Sequence, residues 1–178
     1  MIWFRMLWMM LTARVRDRVP VMTEHRLAFR CLPTDLDLNG HLTNSRFHTF
    51  MDQVRFDFML RSGIWRQLRA ANTWPVLGSS SIRFRKSVRP WQRFEVTVRI
   101  LSWDERWIYM GHCLIADAEA AAIAIVKTAL VDKNGRIPPE RFAALMQQAG
   151  PRPPLEGLAS AQNSLDKLLT SEAIVARS

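Results

Sequence analysis

The feature that most limits the fold of this chain is a change of hydrophobic period at residue 43. From residue 43 to residue 62, large apolar side chains recur every three or four positions, namely Phe47, Phe50, Met51, Val54 and Phe58. Charged side chains occupy other positions of the same segment, namely Arg46, Asp52, Arg55 and Asp57. This spacing predicts a helix of about five turns with one wide aromatic face. Thr43 is suited to cap its start and Gly63 to end it.

Runs with the alternation of β-strands lie on both sides of this helix. One run precedes it, at residues 25–32, and four follow it, at 75–86, 92–103, 106–116 and 122–132. The turns between the last four are too short for parallel crossovers, which predicts an antiparallel sheet. We therefore expect an α+β fold in which one five-stranded sheet and the long helix bury each other. Further helices are predicted at 138–148 and near 165–169, and residues 64–74 form a short helix or a loop.

The length of 178 residues suits a single domain with a real core, and no internal repeat occurs. We divide the chain into an N-terminal amphipathic segment (1–20), a central domain (21–150) and a peripheral C-terminal tail (151–178). The two cysteines, Cys31 and Cys113, indicate neither a disulfide framework nor a metal site. This usage favours a cytoplasmic setting.

The net charge of +9 is concentrated in two segments, residues 1–30 and 79–107, which each carry +4. A solvated surface is one interpretation of each segment. The other is an anionic membrane near the first segment and a phosphate-bearing ligand near the second. No nucleic-acid-binding signature accompanies the charge, so we expect no nucleic acid partner.

The first eleven residues are apolar except for Arg5, and arginines follow them. This stretch is shorter than the roughly 20 residues that span a bilayer, and no signal-peptide cleavage pattern follows it. Two alternatives stay open for residues 1–18. They form a helix lying in the membrane interface, peripheral to the inner membrane surface, or a helix packed on the domain or on a partner subunit.

A compact polar motif stands directly before the predicted long helix, at residues 34–47. Two carboxylates, Asp35 and Asp37, end the preceding extended run, and Gly40 follows them. Because the helix begins a few residues later, a carboxylate lies beside unpaired backbone N–H groups. Those groups can hold a carbonyl oxygen while the carboxylate acts on its carbon.

The motif reads Asp-x-Asp-x-x-Gly-His-hydrophobic-x-Asn with an aromatic residue three positions on, carried by Asp35, Asp37, Gly40, His41, Leu42, Asn44 and Phe47. It resembles the hotdog-fold acyl-CoA thioesterases, in the branch that includes 4-hydroxybenzoyl-CoA thioesterase and the thioesterase superfamily member six proteins. The run at residues 82–86, followed by Arg89-Pro90, is similar to the second strand of that branch. The resemblance covers about residues 25–145. It implies a five-stranded antiparallel sheet wrapped around a long central helix.

The resemblance also implies catalytic roles. The family's catalytic carboxylate is the second aspartate of the motif, which is Asp37 here. The residue seven positions later, Asn44, donates its backbone N–H to the thioester oxygen. Asp37 acts as general base or as nucleophile, and both routes stay open. The implied reaction converts an acyl-CoA or acyl-carrier thioester into a free acid and a thiol, without a metal or redox cofactor.

Substrate binding is expected from four further residues, namely Gly40, His41, Arg85 and Lys86. The two cations are suited to the phosphates of coenzyme A. A single hotdog unit leaves a sheet edge open, so we expect a homodimer or a dimer of dimers with the site at the subunit boundary.

Two alternatives to catalysis are open at this point. The motif matches the first half of an EF-hand calcium loop, but its twelfth position is Arg46 where a glutamate ligand belongs. The second alternative is a non-catalytic hotdog protein, which binds an acyl group or serves as a membrane-associated scaffold.

Overall fold

The computed structural model describes residues 2–13, 15–138, 154, 157, 160–164 and 166. Its helices are α1 (Ile2–Ala13), α2 (Asn44–Ser62) and α3 (Ile64–Ala70). Its strands are β1 (His25–Arg30), β2 (Trp74–Phe84), β3 (Arg93–Trp103), β4 (Ile108–Ala116), β5 (Glu119–Asp132) and β6 (Gly135–Ile137). A short 3-10 turn, Pro33–Asp35, lies between β1 and α2.

The strands form one antiparallel sheet in the order β1-β3-β4-β5-β2. The expected count of five strands was low by one, because the short strand β6 also pairs with β5. The turn between them is fixed by Asp132, whose Oδ1 accepts a hydrogen bond from the Asn134 N–H at 2.7 Å. The helix predicted at 138–148 and most of the one near 165–169 lie outside the described residues.

The start of β5 also differs from the prediction, since the strand begins at Glu119 and not at residue 122. Asp117 and Ala118 have φ angles of 51° and 62°. Two successive residues with positive φ make a tight turn whose twist matches a β-hairpin, so β4 passes into β5 without a loop. Alanines after that turn weakened the strand pattern in the sequence but do not prevent pairing.

The aromatic face of α2 packs on the inner face of the sheet, as predicted. Phe50, Val54 and Phe58 are fully buried. The Phe50 ring meets Phe94 of β3 and Phe29 of β1 at centroid distances of 5.0 Å and 4.8 Å. The five long strands thus enclose one central helix, which confirms the hotdog fold.

The two ends of α2 are formed differently. Gly63 ends the helix with a φ of 81°, a conformation that glycine adopts without strain. Thr43 occupies the cap position at the start, but its side chain makes no capping hydrogen bond. The first turn of α2 therefore keeps backbone N–H groups that its own cap does not satisfy.

A buried ion cluster joins the segment after α1 to the domain. Asp57 of α2 is fully buried. Its Oδ2 lies 2.7 Å from Nε2 of His25, and its Oδ1 accepts a hydrogen bond from Arg16 Nη2 at 2.6 Å. These contacts hold α1 beside α2 and β1. No helix in the described part of the chain is both long enough and apolar enough to span a membrane.

Candidate active site

The loop between β1 and α2 is fastened by Asp35. This residue is buried, and its Oδ2 accepts a hydrogen bond from the Leu32 N–H at 3.1 Å. Its carbonyl accepts from the Thr43 N–H at 3.0 Å, and its Oδ1 lies 3.6 Å from Arg46 Nε. Because the Arg46 guanidinium lies against this carboxylate, the loop is not arranged to hold a calcium ion.

Asp37, by contrast, is exposed and held at one side only. Its Oδ1 accepts hydrogen bonds from the backbone N–H groups of Asn39, at 2.9 Å, and His41, at 3.2 Å. The Asp37 N–H also donates to the His41 carbonyl at 2.8 Å. These bonds fix the orientation of the carboxylate, and Oδ2 accepts no hydrogen bond from any described residue. A fixed carboxylate with one available oxygen is suited to accept a proton or attack a carbon.

Gly40 makes this loop possible through its backbone. Its φ is +71°, and its N–H donates to the Asp37 carbonyl at 3.1 Å. A Cβ built on Gly40 would meet no atom within 4 Å. Glycine is therefore suited to position 40 because of the positive φ of the bend, and not because a neighbouring atom of the protein lies too close for a Cβ.

Five of the six residues predicted for the site line one cavity of about 320 Å³, namely Asp37, His41, Asn44, Arg85 and Lys86. The sixth, Gly40, lies in the same loop. Two further lining residues, Leu42 and Phe47, belong to the motif, and sequence reasoning gave no site role to the other three, namely Asn39, Phe84 and Ser87. Phe84 packs on Phe47 with ring centroids 4.9 Å apart. The alternation around Phe84 showed a strand but not which helix it faces. The structure thus brings the predicted residues together, whereas their roles stay predictions.

The start of α2 faces this cavity. Asn44 is the first residue of the helix and lines the cavity. The N–H of Arg46 donates to the Thr43 carbonyl at 2.9 Å, whereas those of Asn44 and Ser45 reach no acceptor among the described residues. Unpaired N–H groups at a helix start carry partial positive charge and favour a nearby oxyanion.

Two cations that follow β2 also line this cavity. The backbone N–H groups of Arg85 and Lys86 both donate to the Ala121 carbonyl, at 2.8 Å and 3.2 Å. The Lys86 ammonium pairs with Glu119, and this hydrogen bond lowers the pKa of the Glu119 carboxyl. No described carboxylate pairs with Arg85, so this guanidinium is the more available cation at the cavity.

Known proteins match this chain in sequence. The family model described as the Thioesterase-like superfamily matches residues 31–157. Protein THEM6 of Xenopus laevis is 34% identical over 107 residues, which cover 60% of this chain and 52% of that protein. Thioesterase poxG of Penicillium oxalicum is 24% identical over 113 residues, 56% of this chain and 37% of that protein. The chain thus matches about half or less of the length of these two curated relatives.

Solved structures match the fold. A probable thioesterase from Escherichia coli superposes with a TM-score of 0.66 at 16% identity, covering 70% of this chain and 97% of that one. A 1,4-dihydroxy-2-naphthoyl-CoA thioesterase from Synechocystis gives a TM-score of 0.59 at 14% identity, covering 72% of this chain and all of that one. Together with the match over residues 31–157, these findings show that the chain belongs to the Thioesterase-like superfamily, as its motif predicted.

Proposed function

We propose that this protein hydrolyses the thioester of an acyl-CoA, or of an acyl-carrier protein, to a free acid and a thiol. The observation that carries the proposal is the cavity shared by the Asp37 carboxylate and the start of α2. Family membership supports the reaction class. The neighbour from Synechocystis is named for an acyl-CoA substrate, which supports coenzyme A as the carrier.

In the proposed reaction, the thioester carbonyl lies between Asp37 and Asn44. The unpaired Asn44 N–H donates to the carbonyl oxygen and stabilises the negative charge that develops on it. Asp37 either takes a proton from an attacking water or attacks the carbonyl carbon itself, forming an anhydride that water then cleaves. The carbon–sulfur bond breaks, and coenzyme A leaves as the thiol. These steps use only groups of the chain and water, so the proposal includes no metal or redox cofactor.

Arg85 and Lys86 are proposed to bind the phosphates of coenzyme A. Both line the cavity that Asp37 and Asn44 line. Because Lys86 is already paired with Glu119, Arg85 contributes more to this binding. Arg85→Gln should raise KM while leaving kcat close to that of the wild type, since the phosphates are distant from the reacting carbon.

The proposed assembly is a homodimer that forms along β2. A dimer of dimers is the second assembly that we propose, and it contains this same dimer. β2 is an edge strand of the sheet and exposes several large apolar side chains, namely Trp74, Val76, Leu77 and Phe84. An exposed apolar edge strand is a template for pairing with a second copy. Since Phe84 also lines the cavity, a partner on this edge would close the site. Sedimentation as a monomer at micromolar concentration would contradict this assembly.

We also propose that α1 contacts an anionic membrane surface. Among the side chains of α1 from residue 6 onward, the exposed ones are apolar, namely Leu7, Trp8, Met10 and Leu11. Arg18, Arg61 and Arg66 lie around the cavity that Leu7, Met10 and Leu11 line. Apolar side chains beside arginines suit the interface of an anionic bilayer. The wild type should sediment with phosphatidylglycerol vesicles, and Leu11→Glu should not.

The test of the proposed reaction is thiol release from a panel of acyl-CoAs by the wild type and by Asp37→Asn. The asparagine side chain keeps an oxygen that can accept from Asn39 and His41, so the loop should hold its shape. Loss of the carboxylate should lower kcat at least about 100-fold. Asp117→Asn is the matched control, because Asp117 is exposed in the β4–β5 turn and asparagine tolerates its positive φ. Equal rates for wild type and Asp37→Asn would defeat the proposal, and binding without turnover would favour a non-catalytic acyl-binding protein.

A further inference from the structure

We propose that a second cavity, bounded by α1, α2 and β1, binds an alkyl carboxylic acid. This cavity has a volume of about 410 Å³, within the range of small-molecule sites. It shares no lining residue with the cavity of Asp37. It is a site for a ligand, and nothing in the proposed reaction depends on it.

The cavity belongs to a part of the chain that lies mostly outside the matched family region. Eight of its ten lining residues precede residue 31, where the family match begins, namely Trp8, Met9, Thr12, Arg16, Leu27, Ala28, Phe29 and Arg30. Only Leu32 and Gln53 lie within that match. Residues of α1 and β1 line the cavity, and the Arg16–Asp57 ion pair joins the segment after α1 to α2.

The amide of Gln53 is the observation that points to a ligand. Gln53 is 3% exposed, and its Nε2 is buried without a hydrogen-bond acceptor in the described part of the chain. Gln53 is also the residue that α2 contributes to the cavity lining. A buried donor without an acceptor costs free energy, which an oxygen of a bound molecule would recover.

The remaining walls define the rest of that molecule. Trp8, Met9, Leu27 and Phe29 present apolar surface, which suits an unbranched alkyl chain. Arg30 and Arg16 are also part of the lining, Arg16 being paired with Asp57 of α2, and no lining residue is acidic. A fatty acid carboxylate combines an oxygen acceptor for Gln53, an alkyl chain and a negative charge.

The test is isothermal titration of the full chain with dodecanoate, with dodecylamine as a probe of the same chain length. Dodecanoate should bind with one equivalent at this cavity, and dodecylamine should not, because its ammonium group offers no acceptor for Gln53 and the lining holds no acidic residue to pair with it. Gln53→Leu should weaken dodecanoate binding about tenfold or more, the effect of one hydrogen bond to a charged group. The same substitution should keep or raise the melting temperature, because it removes a buried unsatisfied donor.

Two further variants separate this site from other effects. Gln67→Leu is the matched control on α3, where Gln67 is exposed, and it should bind dodecanoate as the wild type does. Thr12→Phe places a ring in the cavity wall and should abolish binding. Coenzyme A should not displace dodecanoate, since the two ligands occupy separate cavities, and this result keeps the inference independent of the proposed reaction.

A fatty acid and a membrane lipid both carry an alkyl chain that could occupy the cavity. The titration is therefore repeated with phosphatidylcholine and phosphatidylglycerol vesicles. Vesicle binding should be unchanged in Gln53→Leu. A loss of vesicle binding in Gln53→Leu with unchanged dodecanoate binding would assign the cavity to membrane lipid and overturn the proposal. Absence of dodecanoate binding to the wild type would also overturn it, and so would wild-type affinity for dodecanoate in both Gln53→Leu and Thr12→Phe.

Discussion

The carboxylate of Asp57 should be one of the largest single contributors to the stability of this protein. It is fully buried on α2 and lies against cationic or ionisable groups of three segments. His25 Nε2 and Arg16 Nη2 are 2.7 Å and 2.6 Å from its oxygens, and Arg61 Nη1 is 3.6 Å away. Removing one member of a buried ion cluster leaves the others uncompensated, which typically costs about 3–5 kcal/mol.

Two substitutions of Asp57 should therefore lower the free energy of unfolding by different amounts, with leucine more destabilising than asparagine. Asp57→Leu removes both acceptor oxygens and should lower the free energy of unfolding by about 3–5 kcal/mol. Asp57→Asn keeps one oxygen that accepts from the Arg16 guanidinium but removes the negative charge that faces Arg16 and His25. Because only the charge of the acceptor is lost, the free energy of unfolding should fall by a smaller amount, about 1–3 kcal/mol.

Urea denaturation followed by far-UV circular dichroism measures both losses, with Asp52→Asn as the control. Asp52 lies on the same helix, but its side chain is 64% exposed and, within the described part of the chain, pairs only with Arg55. An exposed pair of this kind contributes about 0–1 kcal/mol. The reasoning would be refuted if Asp57→Leu cost no more than Asp52→Asn, because the buried cluster would then not anchor the N-terminal segment.

Three further predictions concern backbone strain and titration. Gly40→Ala should cost about 1 kcal/mol in urea denaturation, because φ is +71° although no atom obstructs a Cβ. Burial and the hydrogen bond to Asp104 raise the pKa of Tyr109 from 10.0 to about 12. Since the unfolded chain ionises first, stability should fall as pH rises through that interval, and the tyrosinate absorbance of this single tyrosine should titrate near 12. A midpoint at the ordinary value would contradict the buried Tyr109–Asp104 contact. Burial and the nearby Arg55 lower the pKa of His112 from 6.5 to about 3. The unfolded chain then binds the proton first as pH falls below 6.5, so the wild type should lose more stability than His112→Gln between about pH 7 and pH 4.

The central part of the fold was predictable because its periodic signals are long. The predicted helix at 43–62 differs from α2 by one residue, and the predicted strand at 92–103 differs from β3 by one. Each carries an uninterrupted apolar face that only one conformation buries. β6 and the early start of β5 escaped prediction because three paired residues are too few to show a period and alanines give no strand signal.

In the candidate site, spacing along the chain explains the proximity of the motif residues only, whereas Arg85 and Lys86 were expected there from the resemblance. Asp37, Gly40 and Asn44 lie within one loop and helix start, so their spacing largely determines their proximity. Phe84 and Ser87 reach the cavity through the pairing of β2 with β5, which depends on contacts between distant segments. Neither the burial of Asp57 nor the docking of α1 was predicted from the sequence. The residues that contact Asp57, His25 and Arg16, lie 32 and 41 residues away from it in the chain.

The proposed placement of the thioester between Asp37 and Asn44 is tested by a structure of the protein with a non-hydrolysable acyl-CoA ketone, in which a methylene group separates the sulfur from the carbonyl. We expect the ketone oxygen about 3 Å from the Asn44 backbone nitrogen, with Asp37 Oδ2 facing the carbonyl carbon or a water beside it. A carbonyl bound elsewhere, or one that points away from the start of α2 while Asp37 contacts only its own loop, would contradict it.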